Sequence, residues 1–143
     1  MQLRAVVDTN VLVGGILTTD PASPLVTVVD GMFSGRFPFL LSPPLVAEYR
    51  AVLLRPKLCS LHGLSGEEIE AVLVELAANG IWREPAPHGT NPGAPDPGDE
   101  HLWDLLGTAD APVLVTGDQL LLEQPPAFAS VLSPRSFLEI ADE

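Results

Sequence analysis

The stretch AVVDTNVLV, residues 5–13, runs from an apolar segment into an aspartate and an asparagine before apolar residues resume. Its first part suits a strand covered on both faces, because such strands are short continuous apolar runs. A second apolar segment, PVLVTGD at 112–118, also ends in polar residues, Thr116 and Asp118. Ligands collect at the carboxyl ends of the strands in an open parallel sheet. If these two strands are neighbours, they bring their carboxylates to one edge.

The composition predicts one acidic domain, residues 1–143, with a hydrophobic core. The chain has 19 acidic and 7 basic residues, and its net charge of −12 repels polyanions at long range. Nucleic acid would therefore be held through metal ions, a local basic patch or a basic partner protein. No apolar run approaches the roughly 20 residues of a membrane span, and no secretory signal is recognisable. We therefore expect a cytoplasmic protein with no membrane partner.

Apolar runs alternate with segments that carry helix-start signals. Strands are predicted at residues 3–8, 37–42, 81–84, 112–116 and 130–133. Helices are predicted at about 24–35, 43–55, 65–79, 99–106 and from 134 onward. This alternation indicates βαβ units, and therefore an α/β fold with a mainly parallel sheet and helices on both faces. The proline-rich segment 84–99 is predicted to be a loop.

Glu48 lies on the apolar side of its predicted helix. The spacing i, i+3, i+7 places Glu48 on one face with Leu45 and Val52. A glutamate on such a face is rarely buried without a partner. Two interpretations stay open for Glu48: a salt bridge with Arg55, seven residues on, or a metal-binding role.

Asp99 repeats this pattern, because it shares a helix face with the apolar residues Leu102 and Leu106. Asp96 precedes it by three residues. We expect one of the two aspartates to cap the helix and the other to contribute to a site, and we favour Asp99 for the site because it belongs to the helix. Taken singly, Asp8 and Asp118 also suit ordinary helix caps or turns.

Four carboxylates from separate segments are thus candidates to converge: Asp8, Glu48, Asp99 and Asp118. Crowded in a partly dehydrated cleft, they would repel one another and raise some pKa values. Divalent cations remove this repulsion, and oxygen-only ligands favour Mg²⁺ or Mn²⁺ over zinc. Such ions activate water and stabilise the leaving oxygen in phosphodiester hydrolysis. Asn10 and Thr116 are then expected to orient the acids or a bound water by hydrogen bonds.

The histidines and tryptophans are predicted to have no role in the site. His62, His88 and His101 show no ligand spacing and are predicted to be surface or loop residues. Trp82 and Trp103 are predicted to be core residues, with a dimer interface as the alternative.

Three basic residues near the predicted Glu48 helix are candidates for phosphate contacts: Arg50, Arg55 and Lys57. Solvent-exposed positions that interact with a helix dipole explain these residues equally well.

Three stretches, in order and spacing, resemble PIN-domain ribonucleases, specifically the bacterial and archaeal group regarded as toxins of toxin–antitoxin systems. VVDTNVLV (6–13) is similar to the family's first strand and its Asp-Thr-Asn-Val. LSPPLVAEYRAVLLRPKL (41–58) is similar to its glutamate-bearing helix with a Leu-x-Arg-Pro ending. PDPGDEHLWDLLGTADAPVLVTGDQLLL (95–122) is similar to its Asp-Pro-x-Asp, helix and Val-Thr-Gly-Asp run.

This resemblance implies a three-layer α/β/α sandwich and a Mg²⁺- or Mn²⁺-dependent endoribonuclease that hydrolyses RNA. It implies a catalytic and metal-binding quartet of Asp8, Glu48, Asp99 and Asp118. It also implies supporting roles for Asn10, Thr116 and Asp96, a homodimer, and inhibition by a cognate antitoxin protein. The sequence departs from the family before Asp96, where Ala94-Pro95 replaces a basic residue, and in the shorter helix after Asp99.

Other functions fit less well. A haloacid-dehalogenase-like phosphatase needs a second aspartate two residues after the first, where Asn10 stands. No glycine-rich phosphate loop follows the first strand, which disfavours a nucleotide-binding Rossmann module. The alternative from another class is a degenerate PIN domain that acts as a non-catalytic RNA- or protein-binding scaffold. The presence of all four acids favours the nuclease.

Overall fold

The structure is a computed structural model that describes residues 3–85 and 93–141. Its described residues form five strands: β1 Arg4–Val7, β2 Leu40–Leu41, β3 Ile81–Trp82, β4 Pro112–Val115 and β5 Ser130–Leu132. All pairings are parallel, and a bridge between Ala5 and Phe39 joins β2 to β1. The strands form a three-stranded sheet, β1-β4-β5, and a two-stranded sheet, β2-β3, and the bridge at Phe39, the residue before β2, gives the spatial order β3-β2-β1-β4-β5. The predicted strands are confirmed, although β2 and β3 are shorter than expected.

Strands β1 and β4 lie side by side, so Asp8 and Asp118, which follow them, lie at the same edge of the sheet. Arg4 pairs with Pro112 and Val7 with Val115, so the two strands end at the same level. In chain order, β2 and β3 are placed on one side of β1, and β4 and β5 are placed on its other side. The strand order therefore reverses between β1 and β4. Such a reversal opens a crevice at the carboxyl ends of the strands.

Helices flank this sheet in a three-layer α/β/α arrangement. The described ranges contain the α-helices α1 Thr9–Leu17, α2 Pro24–Ser34, α3 Pro43–Leu53, α4 Pro56–His62, α5 Gly66–Asn79, α6 Glu100–Leu106, α7 Gln119–Glu123 and α8 Pro134–Ala141. The predicted helices correspond to α2, α3, α5, α6 and α8. Their starts follow local chemistry: Ser23, Ser42 and Ser65 each cap a helix, and Ser65 forms a capping box with Glu68.

Helix α1 corrects the interpretation of the opening stretch. We predicted a strand over residues 3–8, but the strand ends at Val7, and Asp8 caps a helix that begins at Thr9. The Asp8 side chain accepts a hydrogen bond from the Thr9 amide and so satisfies one of the free donors of the first turn. The short helices α4 and α7 were also not predicted.

Helix α1 packs closely on α2 through Gly15. A β-carbon at Gly15 would lie 2.4 Å from Val29 Cγ2 and 2.7 Å from the Leu25 carbonyl oxygen. Only a residue without a side chain permits this approach. The contact holds α1, and with it Asp8 and Asn10, against the remainder of the fold.

The two tryptophans differ in their environment. Trp103 is buried on α6, which confirms the prediction of a core residue. Trp82 is 46% exposed, so the same prediction was wrong for it. Trp82 lies on β3, a two-residue strand at the edge of the sheet, where less of the protein covers the side chains.

The proline-rich segment is described only in part. Residues 83–85 and 93–96 contain no helix or strand, and a 3₁₀ turn follows over Pro97–Asp99. His88 and the middle of the predicted loop lie outside the described residues. Within residues 3–85 and 93–141, no helix combines the length and apolar character needed to cross a membrane.

Candidate active site

Asp8 caps a helix and also faces the crevice at the end of β1. Its Oδ1 accepts the Thr9 amide at 2.8 Å, whereas its Oδ2 accepts the Thr116 hydroxyl at 2.8 Å and the Asn10 side-chain amide at 3.1 Å. The residue is only 6% exposed. Burial raises the pKa of Asp8 above its ordinary value, and the hydrogen bonds from Thr116 and Thr9 oppose this rise. The carboxylate is therefore held in one orientation.

Thr116 and Asn10 connect the ends of the two central strands. Thr116 is fully buried, and its Oγ1 accepts the Asp118 amide at 3.0 Å while donating to Asp8. Asn10 accepts the Gly117 amide at 3.0 Å through its Oδ1 and contacts Thr116 through its Nδ2 at 3.3 Å. These two neutral side chains thus set the positions of both strand-end aspartates.

Asp118 begins α7. Its Oδ1 accepts the Leu120 amide at 2.9 Å, and the residue also lines the crevice. Asp118, like Asp8, therefore both caps a helix and lines the cleft. A capping role and a role in the site are thus compatible for these two aspartates.

Glu48 reaches the same cleft from α3. Its Oε2 accepts a hydrogen bond from the Thr9 hydroxyl at 2.7 Å and lies 3.4 Å from Nε2 of His101. Within the described part of the chain, Glu48 forms no ion pair with Arg55, so that interpretation was wrong.

Tyr49 anchors the helix that carries Glu48. Its hydroxyl, which is fully buried, donates a hydrogen bond to the carbonyl of Val7 at the end of β1. Burial raises the pKa of Tyr49 well above its ordinary value, with the nearby charges of Asp8 and Glu48 as smaller causes. The tyrosine therefore stays protonated as a donor and holds α3 against the strand that leads to Asp8.

Asp96 and Asp99 take different places. The Asp96 side chain accepts the Gly98 amide at 2.9 Å and caps the 3₁₀ turn, whereas Asp99 lines the cleft. The pKa of Asp99 is raised to about 6. Partial burial is the largest cause, followed by repulsion from the other carboxylates, those of Asp8, Asp96, Glu48 and Asp118. Asp99 therefore lies close enough to the other acids for their charges to affect its pKa.

The cleft has a volume of about 530 Å³. All four predicted acids line it, together with Thr9, Asn10, Arg55 and the apolar wall of Val13, Leu17 and Val52. The segments that supply the acids come from residues as far apart as 8 and 118. The structure therefore brings the quartet together at the point where the strand order reverses.

The chemistry of these side chains fits a hydrated divalent cation. Within the described residues, no three His, Cys, Asp or Glu side chains already form a metal-binding cluster. Mg²⁺ commonly binds one or two carboxylates and keeps several of its waters, so a closed protein cage is not required. The donors are oxygens. Burial is the largest cause of the raised pKa values of Asp8 and Asp99, and repulsion from the neighbouring carboxylates, which a cation would relieve, adds to it.

Only one of the three predicted phosphate contacts lines the cleft. Arg55 does so, whereas Arg50 pairs with Glu70 on the exposed side of α3, with Nε and Oε1 2.7 Å apart. Lys57 is exposed on α4 and is not among the residues that line the cleft.

Sequence reasoning missed two residues of the site, Thr9 and His101. His101 was predicted to be a surface or loop residue, and this was wrong: its side chain is 19% exposed and contacts Glu48 from α6. No local pattern reveals this contact, because it depends on how α6 packs against α3. His62 ends α4, and its Nε2 lies 2.9 Å from the Leu53 carbonyl, which is a structural contact at a helix end.

The protein thus has a parallel α/β/α fold with an acidic cleft where the strand order reverses. A family model described as a PIN domain matches residues 4–120, a range that includes all four acids of the cleft. Because the match covers well over half of the chain, the protein belongs to the PIN-domain family. PIN domains are generally nucleases. No curated protein and no solved structure gave a significant match.

Proposed function

We propose that this protein is a metal-dependent endoribonuclease that hydrolyses RNA phosphodiester bonds with Mg²⁺ or Mn²⁺. The observation that carries the proposal is the convergence of Asp8, Glu48, Asp99 and Asp118 on one cleft. Partial burial, together with repulsion from the neighbouring carboxylates, raises the pKa of Asp99 to about 6. Such an arrangement costs stability without a cation, and this cost is typical of sites that exist for function. RNA is named as substrate because the motifs resemble those of PIN-domain ribonucleases.

Each acid has a place in this proposal. The four carboxylates would hold the ion, and Asn10 and Thr116 would keep the buried Asp8 in its orientation. When bound, a divalent ion supplies a water of lowered pKa and neutralises charge that develops on the phosphate. Asp96 would support the site by shaping the turn that presents Asp99.

Asp118→Asn tests the nuclease with little structural disturbance. The Asp118 Oδ1 accepts one backbone amide, and an asparagine oxygen can keep that bond while the charge is lost. Cleavage of a labelled RNA in Mn²⁺ should fall by at least about 100-fold. Asp20→Asn is the matched control, because Asp20 also accepts an amide two residues on at 2.9 Å but does not line the cleft. Equal activity in the two variants would contradict the site.

A degenerate PIN domain that serves as a scaffold makes a different prediction. A cation that binds only the folded state raises the melting temperature, and the stabilisation grows with the logarithm of the cation concentration once this exceeds Kd. We expect Mn²⁺ to stabilise the wild type and to stabilise Asp118→Asn much less. A wild type that binds RNA without responding to Mn²⁺ or cleaving would support the scaffold instead.

Arg55 is proposed as the phosphate contact of the cleft. It is exposed at the cleft and forms no ion pair within the described residues, in a chain with an excess of acids. Arg55→Gln should weaken RNA binding about 10-fold, the value of one charge-assisted hydrogen bond. Arg4→Gln changes the net charge equally at the opposite end of β1, so it should leave affinity nearly unchanged. Equal losses in both variants would assign the effect to overall charge.

The toxin role, the cognate antitoxin, the homodimer and the cytoplasmic location are proposed from the resemblance. A net charge of −12 suits an antitoxin with basic residues. A small basic-tailed protein encoded beside this chain should co-purify with it and suppress cleavage. Induction of the chain alone should arrest growth, and unimpaired growth with active enzyme would contradict the toxin role. Light scattering of the purified chain tests the dimer.

A further inference from the structure

Glu48 is held by only one of its two carboxylate oxygens. Its Oε2 accepts the Thr9 hydroxyl at 2.7 Å and lies 3.4 Å from His101 Nε2. Within residues 3–85 and 93–141, no hydrogen bond or ion pair involves its Oε1. The Thr9 hydrogen bond comes from α1 and the His101 contact from α6, so the α3 side chain is contacted from two separate elements.

Thr9 links two of the acids. Its backbone amide donates to Asp8 Oδ1 at 2.8 Å, and its side-chain hydroxyl donates to Glu48 Oε2. Thr9 is itself 6% exposed and begins α1, so its own position is set by the helix. A change in the Thr9 side chain therefore alters the orientation of Glu48 while the backbone bond to Asp8 remains.

The ring of His101 has a defined role in this contact. Its Nδ1 is buried and has no hydrogen-bond partner within the described residues. A hydrogen on Nδ1 would be a buried donor without an acceptor, which is costly. Nε2, which faces Glu48, is therefore the ring nitrogen placed to carry a hydrogen toward the carboxylate. An N–H at this position would orient Glu48 Oε2.

We propose that Thr9 and His101 are positioning residues that fix Glu48 Oε2 and thereby present Oε1 to a divalent cation in the cleft. This inference rests on the proposed metal site. Hydrogen-bonding partners behind a metal ligand commonly change metal affinity by about 10- to 100-fold when they are removed. Neither residue touches the substrate in this proposal.

Thr9→Val and Thr9→Ser separate the positioning role from packing. Valine keeps the shape and loses the hydroxyl, whereas serine keeps the hydroxyl and loses a methyl group. Calorimetric titration with Mn²⁺, without RNA, should show an affinity about 10-fold lower for Thr9→Val and within about 3-fold of the wild type for Thr9→Ser. Circular dichroism without metal establishes that both variants are folded. Loss in serine as large as in valine would overturn the role of the hydroxyl.

His101→Gln and His101→Leu apply the same comparison to the second donor. Glutamine can place an N–H near the position of Nε2, and leucine cannot, so only leucine should weaken Mn²⁺ binding, by about 10-fold. Nitrogen NMR of the metal-free wild type should find the His101 hydrogen on Nε2. A ring without a hydrogen on Nε2, or wild-type Mn²⁺ affinity in folded His101→Leu, would overturn the role of His101.

The outcomes also separate this inference from the nuclease proposal. Wild-type Mn²⁺ affinity in folded Thr9→Val and His101→Leu, with RNA cleavage still lost in Asp118→Asn, would overturn the positioning roles and leave the nuclease standing. A wild type that binds no Mn²⁺ would overturn both.

Discussion

Replacement of Thr116 by valine removes the hydroxyl that connects the ends of the two central strands. In the folded protein this oxygen donates to Asp8 Oδ2 at 2.8 Å and accepts from the Asp118 amide at 3.0 Å and from Asn10 Nδ2 at 3.3 Å. Valine has nearly the same shape, so the fully buried site stays filled. The variant therefore isolates the hydrogen bonds from the packing.

The magnitude follows from the kinds of bond lost. A hydrogen bond to a charged group contributes about 1.5–3 kcal/mol and a neutral one about 0.5–1.5 kcal/mol. The bond to Asp8 dominates, and the 3.3 Å contact is the weakest of the three. We expect a loss of about 3 kcal/mol in the free energy of unfolding.

Urea unfolding at pH 7 without divalent ions measures this loss. Thr116→Ser is the control, because serine keeps the hydroxyl and removes one buried methyl group, at a cost of about 1 kcal/mol. If valine destabilises the protein no more than serine does, the hydroxyl contributes nothing measurable and the reasoning is refuted.

The loss at Thr116 should also depend on pH. The Thr116 bond lowers the pKa of Asp8 against the opposing effect of burial, so its removal raises that pKa further. The bond favours the ionised carboxylate, so the difference in the free energy of unfolding between wild type and Thr116→Val is largest when Asp8 is ionised in both proteins. This difference should shrink as the pH falls through the folded-state pKa values of Asp8 in the variant and in the wild type. A difference that is constant from pH 7 to acid would contradict this assignment.

Three further predictions concern the fold around the site. In urea unfolding, Gly15→Ala should destabilise the protein by about 1–3 kcal/mol, because the added β-carbon would clash with Val29 Cγ2. Gly66→Ala is the control and should be neutral or slightly stabilising, because a β-carbon at Gly66 would have no atom within 4 Å. The pKa of Asp99 rises from 3.8 to about 6 on folding, so the folded state loses stability as the pH rises between these values. Without divalent ions, Asp99→Asn should therefore be more stable than the wild type at pH 7 and no more stable than the wild type at pH 3. Equal melting temperatures at pH 7 would contradict this prediction. Tyr49→Phe removes the hydroxyl that donates to the buried Val7 carbonyl and should cost about 1–3 kcal/mol by the same measurement. A variant as stable as the wild type would contradict this role of the hydroxyl.

Much of the architecture could be predicted because its signals are local. Ser23, Ser42 and Ser65 mark helix starts through bonds to amides two or three residues away. The continuous apolar runs of β1 and β4 indicate buried parallel strands. Helix α1 escaped prediction because VLV at 11–13 is apolar throughout, and such a run cannot distinguish a strand from a buried helix.

The sequence by itself determined which carboxylates were candidates. Asp8 and Asp118 follow apolar runs, and Glu48 and Asp99 lie on the apolar faces of predicted helices, so local sequence patterns were enough to select them as candidates. The same reasoning could not choose among Arg50, Arg55 and Lys57, since each suits an exposed helix end. The pairing of Arg50 with Glu70 involves two helices and became visible only in the structure.

Only the tertiary structure decided which groups meet across the cleft. Thr9 and Glu48 are 39 residues apart, Asp8 and Thr116 are 108 apart, and His101 reaches Glu48 from a third helix. These contacts depend on the strand order, which places β4 beside β1, and on the close approach of the helices above it. Periodicity and capping are properties of a few neighbouring residues, whereas strand order and helix packing result from burying the whole core at once.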